Sequence, residues 1–239
     1  MCRHVVLSSS NGMGYQRGFS LIELAIVLVV IGLIAGAVAV GKDVQRNAAY
    51  QRISTDFVQG WALAYDAFTN GTGRVPGDSA TPLTGQINGD SDDPLCGDDL
   101  LNAFLAVGIR LPEGRAEGMN ERYVYQDSNG NPQQLQICFE NVAWAEPGAS
   151  VGSYQVRQRN VMVLRNLTPA LASLLDAQID GKTDARFGHF RESTLADNTT
   201  LAEGQPWSVD EQNVMGGGSG TAGRDHQVAT VTAYMLMNR

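Results

Sequence analysis

The sequence predicts an α+β fold in which one long N-terminal helix leads into a globular domain built from short helices and an antiparallel sheet. Three observations predict it. From Phe19 to Val40 the chain is apolar apart from Ser20 and Glu23, and this run passes without a breaker into a one-sided apolar pattern that lasts to Thr69. A stretch rich in Gly, Asp and Pro follows from Asn70. Beyond it, short runs of β-branched and aromatic residues alternate with turn signals, the pattern of strands in an antiparallel sheet.

The apolar run is long enough, at ~1.5 Å per residue, to cross a ~30 Å hydrocarbon core as a helix. A carboxylate inside such a span costs on the order of 3 kcal/mol, so Glu23 calls for a cationic partner. The residues Arg17-Gly18-Phe19-Ser20-Leu21-Ile22-Glu23-Leu24, leading directly into the apolar run, resemble the processing site of type IV pilins and of the pseudopilins of type II secretion. The resemblance implies that a prepilin peptidase cuts after Gly18 and methylates the new N-terminal Phe19. It also implies that Glu23 meets the N-terminal amine of a neighbouring subunit during assembly. Charge chemistry agrees with that expectation: cleavage creates an ammonium at Phe19, and two opposite charges buried together are far less unfavourable than either alone. An ordinary signal anchor, with Glu23 merely near the membrane surface, is the alternative.

On this reading residues 1–18 are a cytoplasmic leader, too short and polar to span a membrane. Met13 offers a second start and a leader of the usual length for the family. A secretory signal peptide competes for the same region, but its cleavage site, around Ala35 to Ala39, would fall inside the apolar run. Residues 19–40 are then the membrane half of the helix. Gly32 and Gly36 form a G-x-x-x-G pair, a spacing that permits close helix approach and is also common in spans generally. No proline interrupts Phe19 to Thr69.

Residues 41–69 form the amphipathic half. Val44, Ala48, Ile53, Phe57, Trp61, Tyr65 and Phe68 recur every three to five positions, while Lys42, Asp43, Gln45, Arg46, Gln51, Arg52 and Asp56 fill the other face. Together the halves predict one helix from Phe19 to Thr69, roughly 75 Å long, ended by the glycines of Asn70-Gly-Thr-Gly. Residues 70–239 are the globular domain. Within it the pattern predicts a short helix over Asp98 to Val107 and a hairpin of Tyr123 to Gln126 with Leu135 to Val142 around Ser128-Asn-Gly-Asn-Pro132. A strand at Val161 to Leu164 and a helix from Thr168-Pro169 to Ile179 come next. Strands at Ala185 to Phe190 and Val228 to Leu236 complete the set. This layout looks like the pilin fold. Pro76-Gly77-Asp78 with Asn88-Gly89-Asp90, and Leu174 to Gly181, also resemble segments of pilin-like prepilins of unassigned role.

The formal net charge is −8, from 17 basic and 25 acidic residues. Removing residues 1–18 takes away Arg3 and Arg17 and no acid, leaving 15 basic residues against 25 acidic, or −10. Such a surface argues against nucleic acid as a partner, since phosphate contacts need clustered Lys and Arg. Cys2 lies in the leader, so Cys96 and Cys138 remain as a pair across the membrane, where two cysteines usually form a disulfide. Two separate buried thiols are the alternative.

Chemistry is sparse. Asn88, Asp90, Asp92 and Asp99 approximate an EF-hand spacing and make weak calcium candidates, but Asp93 replaces the glycine and Asp99 the bidentate glutamate. Gly218-Ser-Gly-Thr-Ala-Gly223 matches G-x-G-x-x-G yet leads into a strand, which speaks for a flexible loop instead of a dinucleotide site. His189 and His226 sit in no catalytic motif, and Trp144 and Trp207 read as core or interface aromatics. No cofactor and no enzymatic activity are expected. The expectation is a structural subunit of a type IV pilus-like filament, held in the inner membrane before assembly and in a pilus or pseudopilus after it. Its implied partners are the prepilin peptidase, other pilin-like subunits, membrane lipid and the inner-membrane assembly machinery. A type II secretion pseudopilin is the first alternative, and a tethered binding module that never polymerises is the second.

Overall fold

The computed structural model describes residues 18–79, 81–89, 91, 93–116, 119–200, 202–215 and 226–238. The leader through residue 17, Asp90 and Asp92 of the calcium candidates, and the glycine-rich loop at 216–225 lie outside the described residues. The chain divides into two units, Met1–Gln45 and Arg46–Arg239.

In the first unit the described chain is helix α1, Leu21–Arg52, which runs on past the unit boundary. From Leu21 to Val38 its apolar side chains stand exposed, Leu33 at 69% for example. The helical stretch Leu21–Thr72 is the one segment among the described residues long and apolar enough to cross a membrane, with a mean hydropathy of 2.9 in its most apolar window.

The second unit is an α+β, pilin-like domain. From Tyr50 onward the helix buries a stripe of Tyr50, Ile53, Phe57, Trp61, Tyr65 and Phe68. It is not the uninterrupted α-helix the pattern predicts. Ile53–Val58 forms a π turn, and α2 resumes as Gln59–Thr72. The spacing supplies the reason. Ile53, Phe57, Trp61 and Tyr65 each stand four apart, and in a 3.6-residue helix every such step drifts ~40° around the axis. The wider i→i+5 turn takes up that drift and keeps the four side chains on one face. Two other expectations are corrected here. Val44 is 62% exposed and Ala48 is exposed too, so Tyr50 begins the buried stripe. The helix ends at Thr72, three residues beyond the expected Thr69, because Gly73 adopts the left-handed C-cap conformation (φ 73°) and donates its N–H to the Thr69 carbonyl.

Helix α3 spans Gly97–Leu105. Five strands follow: β1 Arg122–Gln126, β2 Pro132–Pro147, β3 Tyr154–Leu167, β4 Phe190–Glu192 and β5 Val231–Leu236, with α4, Pro169–Asp180, between β3 and β4. The sheet order is β1-β2-β3-β5-β4, antiparallel throughout. The expected first hairpin is present, Gln126 pairing with Pro132 across a turn in which Asp127 Oδ1 accepts the N–H groups of Asn129 and Asn131.

One face of the sheet, carrying Leu135, Ile137, Phe139, Met162 and Leu164, packs on the helix stripe. An aromatic cluster forms there: Trp61 meets Phe104 edge-on at 5.6 Å, and Tyr65 stacks on Phe139 at 5.3 Å. The other face carries a smaller core of Cys138, Trp144, Val161, Val163 and Ala196. Residues 160–164 are therefore buried on both faces, which is why β3 reads Val-Met-Val-Leu with no alternation.

The expected strand at Ala185 to Phe190 is shorter and later, Phe190–Glu192. The reason is local: Asp184 takes the N–H groups of Arg186 and Phe187, and Asp180 takes those of His189 and Phe190. A stretch whose donors are spent on side chains cannot pair as a ladder. Likewise β5 starts at Val231 and not at Val228, whose N–H goes to Asp127 Oδ2.

Candidate functional site

The start of α1 is built by its own sequence. Ser20 and Glu23 close a reciprocal pair in which the Ser20 N–H donates to Glu23 Oε2 at 3.0 Å and the Glu23 N–H donates to Ser20 Oγ at 3.2 Å. The Leu24 N–H donates to the Ser20 carbonyl at 3.2 Å. This is a capping box, which satisfies donors that a helix N-terminus otherwise leaves open. The signal that marks it in the sequence is the S-x-x-E spacing of Ser20-Leu21-Ile22-Glu23. The carboxylate therefore has a structural role within its own chain as well as the intermolecular one expected of it. Its negative charge also sits in the first turn, where the helix dipole favours an anion.

Gly18 and Phe19 precede the cap, with Phe19 88% exposed. A β-carbon added at Gly18, Gly32 or Gly36 would meet nothing within 4 Å. Among the described residues no packing accounts for the G-x-x-x-G pair, and both glycines leave a smooth strip on α1.

The remaining sequence candidates are spread across the second unit. Cys96, just before α3, is joined to Cys138 on β2 by a disulfide with a Cα–Cα distance of 4.6 Å. It sits beside the antiparallel bridge between Leu95 and Phe139 and ties α3 to the sheet. Of the calcium candidates, Asn88 donates its side-chain amide to the Asp93 carbonyl, and Asp99 lies exposed in the first turn of α3. Among the described residues no group of three or more acidic, histidine or cysteine side chains is placed to hold a metal. His189 is exposed, with Nδ1 3.4 Å from Asp180, and the His226 carbonyl accepts from Asn129 and Asn131. The two imidazoles are not brought to a shared site. Trp144 is buried beneath the Arg191 guanidinium, 4.1 Å from its centroid, and burial pushes that arginine down to about 10.

What sequence reading missed is a set of acids that hold loops. Asp184 accepts the N–H groups of Arg186, Phe187 and Gln205 and the ammonium of Lys182. Burial alone would raise its carboxyl, but Lys182 and the three amides hold it below the usual range. Asp176, fully buried, accepts the Asp184 N–H at 2.7 Å and the Trp207 indole N–H at 3.2 Å. Burial, with Asp180 and Asp184 nearby, outweighs those two donors and pushes it up to about 6. Glu192 takes the N–H and hydroxyl of Ser208.

No curated protein and no solved structure matches the chain. A family match falls at the N-terminus and covers the cap, both glycines of the smooth strip and Glu23. Residues 13–39 carry the prokaryotic N-terminal methylation motif, the mark of the prepilins from which type IV pilins and pseudopilins are made.

Proposed function

We propose that this protein is a structural subunit of a type IV pilus-like filament, cleaved after Gly18, N-methylated at Phe19 and packed into the filament core through its N-terminal helix. The methylation motif carries this reading, and the coarser statement it supports directly is a pilin-like or pseudopilin subunit made as a membrane-anchored precursor. The exposed apolar surface of α1 adds physical support. Side chains such as Leu21 at 90% and Leu33 at 69% exposure need lipid before assembly and neighbouring helices after it. Identical subunits joined head to tail give an open helical polymer.

The capping box sharpens the role of Glu23. In the precursor its carboxylate is engaged with the Ser20 N–H, and cleavage after Gly18 places an ammonium one residue away. Processing thereby supplies the cation that an acid in lipid requires. The partners are the prepilin peptidase, other pilin-like subunits and the inner-membrane machinery that extracts them; the role is mechanical and not catalytic.

Glu23→Gln tests this reading because Gln can still accept the Ser20 N–H and complete a capping box while lacking the charge. The expected outcome is normal insertion and processing with filament incorporation lost. Normal incorporation of Glu23→Gln would remove the charge from the assembly step. N-terminal sequencing of the mature protein should begin at methylated Phe19. Surface fibres seen by immuno-electron microscopy distinguish a pilus from a periplasmic pseudopilus.

A further inference from the structure

An outer strand presents a row of backbone N–H and C=O groups that invites another strand, and this sheet closes most of its edges explicitly. On β1 the outward groups are taken by the segment before it: the Arg122 carbonyl accepts the Arg115 N–H, and the Val124 N–H donates to the Arg115 carbonyl. On β4 the Phe190 N–H goes to Asp180 and the Glu192 N–H to the Ala185 carbonyl. Beyond β1, β2 is tied to Leu95 at Phe139 and to Ala196 at Ala145, and it ends in Pro147.

The first half of β3 is left open. Its pairing with β5 begins at Val161, next to Asn160, whose carbonyl accepts the Met237 N–H. Backbone groups alternate sides along an antiparallel strand, so Gln158, Val156 and Tyr154 turn theirs to the same side as Asn160, where β5 has ended. Nothing among the described residues hydrogen-bonds to them there. On the other side β2 holds the strand in unbroken register from Tyr154 to Arg165. Gln155 to Gln158 are exposed, Val156 at 49%. The segment has no proline, no lysine and no bulge to discourage a partner. Arg157 carries its one charge, and Glu146 of the same chain faces it at 3.7 Å.

Complementarity decides what fits this edge. A strand from a second copy must bring an open edge of its own, and the other edges are tied up as described. The matching segment is therefore the same one. Two copies of Tyr154–Gln158 set antiparallel about Val156 satisfy each other: Val156 meets Val156, Tyr154 meets Gln158, and each open N–H finds an open C=O. Side chains agree with that register. Gln155 stands opposite Arg157, so no like charges face each other directly, and the two exposed valines meet at the centre.

We propose that β3 of one copy joins β3 of a second copy along Tyr154–Gln158, two-fold about Val156, merging two five-stranded sheets into one. The inference goes beyond the filament reading, because a two-fold contact closes on itself and joins subunits in pairs instead of along a head-to-tail path. So short a seam is small beside the ~1,200–2,000 Å² of stable interfaces. It acts where copies are already concentrated, as in a membrane.

Disulfide crosslinking of the full chain carrying Cys2→Ser, in liposomes of phosphatidylethanolamine and phosphatidylglycerol, tests this; Cys96 and Cys138 are already joined to each other. Facing residues of a hydrogen-bonded antiparallel pair lie ~5.5 Å apart at Cα, within disulfide reach. Val156→Cys should give about fivefold more dimer, or better, than Val124→Cys, an exposed position on β1 that reports random collision. Gln158→Cys, which faces Tyr154 and not its own copy, should stay at the collision level. Gln158→Pro removes a donor from the seam without touching the pairing to β2, and added to Val156→Cys it should return the dimer to that level. Gln155→Arg places like charges across the seam and should do the same, with near-ultraviolet circular dichroism confirming that both variants are folded. The proposal is overturned if Val156→Cys shows no excess over Val124→Cys, if Gln158→Cys links equally well, if neither added substitution lowers the yield, or if Val156→Cys in native membranes links to a different chain in place of its own copy.

Discussion

Two parts of the globular unit are held together in different ways. Where the helix stripe meets β2 and β3, the contacts are apolar and aromatic, with Trp61, Tyr65, Phe104 and Phe139 forming one cluster. Between α4 and β5, β4 is the only strand among the described residues, and carboxylates hold the irregular backbone around it by accepting its N–H groups. The difference follows from the accounting of backbone polar groups. Buried N–H groups need partners, and where no ladder supplies them, short acidic side chains do. Apolar packing is proportional to area and tolerant of detail; the acid ties are few, directional and sensitive to protonation.

Breaking the apolar part should have the largest effect. Trp61→Ala removes a fully buried indole from the centre of the cluster and leaves the Asn120 carbonyl without its donor. A loss of about 3–5 kcal/mol is expected, read as a lower denaturation midpoint by near-ultraviolet circular dichroism. A loss under about 1 kcal/mol would show that the helix stripe is not what anchors the sheet.

Breaking the acid-tied part should cost less and should depend on pH. Asp184→Ala strands three N–H groups and should lose about 2–3 kcal/mol at neutral pH. Because the native carboxyl titrates below its ordinary 3.8, its contribution is complete above that value and disappears as pH falls through the native value. The variant and the parent should therefore converge in acid. Equal differences at pH 7 and pH 3 would contradict this.

Asp176 has the opposite sign and the smallest effect. Its native carboxyl titrates at about 6 instead of 3.8. Between those values the fold keeps a proton that the unfolded chain releases, so stability falls as pH rises from about 4 to about 6 and stays low above. Asp176→Asn removes that slope and should stabilise the protein by roughly 1–2 kcal/mol at pH 7, with little gain at pH 4. A destabilised variant at pH 7 would mean that the Trp207 and Asp184 hydrogen bonds outweigh the buried charge.

These contrasts explain what could be read in advance. The apolar part was legible because helix and strand periodicities sort side chains into faces, so Phe57, Trp61, Tyr65 and Phe68 and the first hairpin stood out. The π turn was not, since only packing against the sheet reveals that a run of four-residue steps must stay on one face. The strand expected at Ala185 failed because Asp180 and Asp184 had taken its donors, a pairing set by tertiary proximity and not by pattern. At the N-terminus nearly everything was local: the methylation motif, the apolar run and the capping box all lie within a few residues of one another.

The sequence by itself determined the apolar helix, its capped start and the prepilin motif, because each depends on residues within about one or two helical turns. It also determined the strand-rich character of the remainder. Only the tertiary structure decided which carboxylates are buried and which backbone N–H groups they hold. Those pairings join residues as far apart as Asp127 and Val228, 101 positions along the chain, and a contact at that separation leaves no periodic trace.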